Sequence, residues 1–237
     1  MRVALSVVAL FLVTALGLPA GAVEPAPHIT DPAGDANAIN GQGLVTGSAA
    51  QGTSTPVGYA PADLLAVRYA TAYKAVPVGG DGLTYVQSGL EAHITTAAPA
   101  TSAGPTLIYR LNVEVGSCGG FVQYYLNGPA SGPTDGTTLE FRQFASRGCA
   151  ADATIRPAGW YASVTGNTLV FHMPLSGLSG ADRSNFSVGR SVVTSTAEVR
   201  TQLAALTAPA IDLTAPGTTF VIGSDRPADV PCTVGCP

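Results

Sequence analysis

The chain has 237 residues, with 11 Lys plus Arg against 15 Asp plus Glu, and charged residues make up only 11% of it, less than half of the roughly one quarter usual in soluble domains. Lysine occurs once, at Lys74, and so thin a supply of cations cannot neutralise a row of phosphates, which excludes nucleic acid as a partner. Nor is there a basic amphipathic helix to offer an anionic membrane.

Arg2 is followed by an apolar stretch from Val3 to Leu18, closed by Pro19, and Ala20-Gly21-Ala22 has the small-x-small form of a signal-peptidase site. Residues 1–22 therefore read as a secretory signal peptide, with Val23 as the mature N-terminus and a secreted, extracellular product. No cysteine follows the apolar run to accept lipid, and no second hydrophobic span appears. No membrane span is expected once the signal is removed.

The 28 glycines and 18 prolines are spread along the chain rather than gathered in a linker, so 23–222 reads as a single domain. Alternation with period two, bounded by Gly, Pro, Asn or Asp, marks strands. The first runs from Leu64 to Tyr73, and a turn at Val78-Gly79-Gly80-Asp81-Gly82 separates it from Leu83–Val86 and Leu90–Thr96. Thr106–Val115 is the clearest strand, with Leu107, Tyr109, Leu111, Val113 and Val115 on one face. Phe121–Leu126 and Thr137–Phe144 follow. Tyr161–Val164 and Leu169–Met173 flank Gly166-Asn167, a two-residue hairpin turn. Phe186–Val199 and Thr218–Ile222 complete the set. The one helical candidate is Glu198–Leu206, ended by Pro209. Short strands with frequent turns and very little helix predict an all-β, antiparallel sandwich of jelly-roll type. The last stretch, 223–237, reads as an irregular tail with a local disulfide.

All four cysteines lie beyond the signal, where an oxidising compartment makes two disulfides the simplest outcome. The expected pairs are Cys118–Cys149, joining two strand edges, and Cys232–Cys236, closing a very short loop. Gly116-Ser117-Cys118-Gly119-Gly120 has the form of a hydrolase elbow, but that elbow needs a helix after the nucleophile, and Phe121–Tyr125 reads as a strand. A bonded cysteine also cannot attack.

The densest oxygen-ligand cluster is Asp31-Pro32-Ala33-Gly34-Asp35-Ala36-Asn37, and Asp63 opens the first strong strand. Calcium takes six to eight oxygens from carboxylates, amides and carbonyls, so Asp31, Asp35, Asn37 and Asp63 are candidate calcium ligands. The alternative is that these side chains cap turns by bonding backbone N–H groups. The spacing is not that of an EF-hand.

The Asp-Pro-x-Gly-Asp turn, the later Asp63-Leu64-Leu65-Ala66-Val67 run, Val164-Thr165-Gly166-Asn167-Thr168-Leu169 and the Met173-Pro174-Leu175 exit together resemble the secreted modules grouped as DOMON and family-9 carbohydrate-binding domains. That resemblance, over about residues 29–222, implies a jelly-roll sandwich, an extracellular ligand-binding or accessory role, and in some members bound calcium. The chain departs from the pattern in its single tryptophan, Trp160, and in lacking an evident Met or His pair for haem.

Rings exposed on a sandwich face stack on sugars, and Tyr125 and Trp160 are the candidate ligand-binding residues. The competing expectation is that strand aromatics pack in the core or across strands. For catalysis, His28 falls in an N-terminal segment expected to be flexible, His93 shares a face with Glu91, and His172 alternates with apolar neighbours. Glu114 and Glu140 are an available carboxylate pair of glycosidase type. No catalytic residue is assigned. The expectation is an exported, non-catalytic binding module for an extracellular ligand, a glycan or cell-wall component. The alternatives are a secreted, glycosidase-like hydrolase with an unrecognised site, or a structural or protein-interaction module.

Overall fold

The computed structural model describes residues 26–36, 38–39, 45–47, 60–78, 82–99, 106–126, 139–201 and 210–226. Three short strands come first: β1 (Ile29–Thr30), β2 (Ala38–Ile39) and β3 (Val45–Gly47). Two long ones follow, β4 (Leu64–Val78) and β5 (Gly82–Thr96), then β6 (Leu107–Val115), β7 (Cys118–Leu126), β8 (Glu140–Gln143) and β9 (Ala153–Ile155). A hairpin of β10 (Tyr161–Thr165) and β11 (Thr168–Pro174) precedes the short helix α1 (Gly180–Asn185). The last strands are β12 (Ser191–Thr201), β13 (Ala210–Leu213) and β14 (Phe220–Val221).

These form a five-stranded sheet, β1-β4-β5-β11-β10, and a seven-stranded sheet, β13-β12-β6-β7-β8-β9, in which β14 also pairs with β12; β2 and β3 pair separately. Every pairing is antiparallel. The alternation read in the sequence sets the layers. Leu107, Tyr109, Leu111, Val113 and Val115 on β6 are all buried, and face Tyr69, Leu90, Ile94 and Phe171 of the other sheet in one core. The sandwich is closed by ring contacts and hydroxyls: Tyr124 packs edge-on against Phe171, and the Tyr69 hydroxyl bonds Thr194 across the sheets at 2.5 Å. The expected all-β antiparallel sandwich is the fold found.

Several elements differ from the sequence reading. Leu83–Val86 and Leu90–Thr96 are one strand, because a bulge opposite Ala72 and Tyr73 absorbs the break at Gly89. Gly89 is needed there, since a Cβ would lie 2.8 Å from the Met173 carbonyl. Glu198–Leu206 is not helical where it is described: Glu198–Thr201 belongs to β12, held on both sides by β6 and β13, so tertiary pairing overrides the local helical pattern. The helix lies instead at Gly180–Asn185. His28 is not loose. Its N–H bonds the Val67 carbonyl at 2.8 Å, its ring accepts from the Tyr69 N–H, and it packs on Phe220. Gly223 and Asp225, assigned to the tail, are tied to β4: the Gly223 N–H donates to the Thr71 hydroxyl and the Thr71 N–H to Asp225 Oδ2. Residues 1–25 and 227–237, with the signal and Cys232–Cys236, lie outside the described residues.

The Cys118–Cys149 disulfide is formed. It joins the start of β7 to the loop after β8, and closing its 31-residue separation stabilises the fold by about 3–4 kcal/mol on the chain-entropy account. The glycines beside Cys118 serve packing rather than an elbow. A Cβ on Gly120 would lie 2.1 Å from the Arg142 carbonyl oxygen and 2.8 Å from the Phe141 ring. Gly120→Ala should therefore part β7 from β8 and cost about 2–3 kcal/mol, read as a lowered midpoint in urea or thermal unfolding.

Candidate metal centre

Asp31, Asp35 and Asp212 offer carboxylate oxygens that all lie within 4.8 Å of one another, and Asp63 sits against them. The local chain explains the convergence. Asp31 leaves β1 with its N–H bonded to the Leu65 carbonyl at 2.9 Å. The chain then turns through Gly34 at φ +87°, a left-handed conformation that glycine adopts without strain. That turn aims the Gly34 N–H at Asp63 Oδ2, 2.7 Å away, and buries Asp35 and Ala36. Asp63 immediately precedes β4.

The fourth acid arrives from the other sheet. On β13, Asp212 pairs with Val199, a core residue, so its side chain turns inward. Its Oδ2 accepts from the N–H of Leu64, the first residue of β4, at 2.6 Å, and its Oδ1 from the Leu213 N–H. The site therefore lies at the seam where the two sheets meet, with β1, β4 and β13 all contributing.

Asp35, Asp63 and Asp212 are 8%, 4% and 5% exposed. Burying carboxylates this deeply is costly unless each oxygen has a donor or a cation. Backbone donors satisfy part of the set, yet Asp31 Oδ2, Asp35 Oδ1 and Asp63 Oδ1 have no hydrogen-bond partner among the described residues. Burial, reinforced by the charges of Asp212, Asp35 and Asp63, raises the Asp31 carboxyl to about 7. Burial likewise raises Asp212 to about 6 against the opposing bond from Leu64, and raises Asp63. Hard, anionic oxygens that are crowded, desolvated and under-donated form a donor set suited to calcium. Sequence reasoning found Asp31, Asp35 and Asp63; Asn37 lies outside the described residues. It missed Asp212, although this is the one charged residue between Arg200 and Asp225, set between Ile211 and Leu213 where an outward acid would need no company.

The other candidates are separated. Trp160 is 2% exposed, packed against Phe141 and Phe186, with its indole N–H bonded to the Pro174 carbonyl. No face of that ring is open for stacking. A buried tryptophan whose N–H is satisfied is core, so it drops out of the ligand-binding set. Tyr125 is half-buried on the outer face of the seven-stranded sheet. Around it runs a chain of polar contacts: Gln123 donates to the Tyr125 hydroxyl and to Glu140, and accepts from Arg110. Arg110 pairs with Glu198, and Arg156 with Glu140; Arg110 also lies over the Phe121 ring at 4.1 Å. Burial pushes the Tyr125 phenol up to about 12.

Glu114 and Glu140 share that face but lie opposite Gly119 and Gln123 of β7 respectively. Two strand spacings and four residues of rise separate them by about 16 Å, against the roughly 5–9.5 Å a glycosidase pair requires. Comparison with known proteins finds no family model, no curated protein and no solved structure that matches this chain.

The raised carboxyls fix a pH dependence. In metal-free buffer the folded protein holds protons on Asp31 and Asp212 that the unfolded chain, with ordinary carboxyls near 3.8, has released. Stability should then fall as pH rises from about 4 to about 7, and Asp31→Asn should flatten the decline; melting temperature against pH in EDTA measures both.

Proposed function

We propose that this protein is an exported β-sandwich module that holds calcium among Asp31, Asp35, Asp63 and Asp212. It binds an extracellular ligand, a glycan or cell-wall component, over the outer face of its seven-stranded sheet. The observation that carries the reading is the set of three unpartnered carboxylate oxygens buried at the seam between the sheets. A divalent cation there would satisfy them and cancel the repulsion among four acids. The ion would act as a clamp, tying the N-terminal turn to β4 and to β13.

The ligand face is supported by the composition around Tyr125. Its ring, the Arg110 guanidinium and Asn112 form a set of planar groups, donors and acceptors of the kind that reads sugar hydroxyls. The likeness to DOMON and family-9 carbohydrate-binding domains supports the same reading. Among the described residues no helix is long and apolar enough to cross a membrane.

Calcium at about 100 times its dissociation constant should add about 2.7 kcal/mol, raising the melting temperature by about 5–10 °C in a domain of this size. Asp35→Asn and Asp212→Asn should remove the rise. A melt indifferent to calcium and EDTA would sink the clamp. Polysaccharide pull-down compared between the wild type and Tyr125→Ala tests the ligand face separately.

A further inference from the structure

The outer face of the five-stranded sheet carries a hydrogen-bond chain that the ligand-binding reading does not use. Ser163 Oγ lies 2.9 Å from His172 Nε2, and His172 Nδ1 lies 2.9 Å from Glu91 Oε1. The geometry points to a serine acyl-transfer site, with Ser163 as nucleophile, His172 as general base and Glu91 as its positioning residue, acting on carboxylic esters. It stands on the face opposite Tyr125 and is independent of the calcium and glycan readings.

Register builds the chain of groups. His172 on β11 sits directly opposite Glu91 on β5 and opposite Tyr161 on β10. Ser163, two residues beyond Tyr161, points to the same face. The Gly166-Asn167 turn fixes this alignment, since a slip by one residue would send Ser163 inward.

The proton inventory assigns the roles. An ionised carboxylate only accepts, so Glu91 requires the hydrogen of the neutral imidazole on Nδ1. That leaves the Nε2 lone pair to accept from the Ser163 hydroxyl, the orientation a serine nucleophile needs. The second oxygen of Glu91 bonds His93 Nε2 at 3.2 Å. This bond first, and His172 next, hold the Glu91 carboxyl below its usual value against partial burial, so the positioning residue stays ionised. The Tyr161 ring lies parallel to the imidazole, 4.4 Å away. There it fixes the ring plane and favours the imidazolium formed during reaction.

In the first step Ser163 Oγ bonds to the ester's acyl carbon while its proton passes to His172 Nε2. The tetrahedral adduct then breaks its bond to the alcohol oxygen, and the alcohol leaves with the proton from Nε2. In the second step water gives a proton to Nε2 and attacks the acyl-serine; the carboxylic acid departs and Ser163 recovers its proton. Because β10 is the sheet's edge strand, and Ser163 pairs with Val170 two residues from the Thr165–Thr168 hairpin closure, the neighbouring Val164 N–H faces off the edge. It is the backbone donor of the residue next to the nucleophile in the chain.

The test is labelling of the full chain with a fluorophosphonate probe, read by intact mass and peptide mapping, alongside turnover of 4-nitrophenyl acetate. One adduct on Ser163 is expected. Ser163→Ala should abolish it, and His172→Gln should slow it by about 100-fold. Glu91→Gln should slow it without lowering the melting temperature, and Glu91→Asp should restore part of the rate. Near-UV circular dichroism checks that each variant is folded. Failure of the folded wild type to label, label on another residue, or a rate that His172→Gln leaves unchanged would overturn the assignment.

Discussion

Four aspartates held together where two sheets meet repel one another, and much of the architecture can be read as the means of tolerating that repulsion. Asp212 faces inward on β13 and is anchored by the first N–H of β4; Asp63 is anchored by the N–H that Gly34 presents. Each backbone bond thus joins segments from different sheets or from the N-terminal turn. Removing a carboxylate would relieve charge but also cut a link between layers. The cluster is a seam under electrostatic load, and a divalent cation is the ligand that turns the load into attraction.

The two outer faces solve the scarcity of charge differently. On the seven-stranded sheet, arginines are placed over carboxylates, an amide and a ring, so few cations serve many partners: Arg110 alone meets Gln123, Glu198 and Phe121. On the five-stranded sheet the outward polar groups include His93, His172, Glu91, Ser163 and Arg68, which lies opposite His93, with Ala70 opposite Glu91 and Gly89 opposite Ala72. Small neighbours flank Glu91, and Tyr161, stacked on His172, is 46% exposed.

Period-two alternation made the core legible from sequence. Thr106–Val115 and the Gly166-Asn167 hairpin were readable because every second residue in them faces the other sheet. Strands of two to four residues, such as β1, β9 and β13, carry too few alternations to register, and their existence depends on partners distant in sequence. The same distance hid the sites. Asp31, Asp35 and Asp63 were visible as a local run and a strand opener, whereas Asp212 joins them only through the pairing of β13 with β12. Ser163, His172 and Glu91 are adjacent through register alone. Trp160 misled because its neighbour Tyr161 occupies the outward position: along a strand, exposure changes with each residue, and composition cannot say which of the two faces water.

The position of Trp160 has a spectroscopic consequence. As the chain's one tryptophan, it is confined between Phe141 of one sheet and Phe186 beyond α1, away from both outer faces and from the aspartate seam. Its emission should be blue-shifted in the native state and should stay so when anything binds to either face, moving to the red only when the sheets themselves separate. The fold therefore contains a single optical probe of sandwich integrity that is blind to surface events.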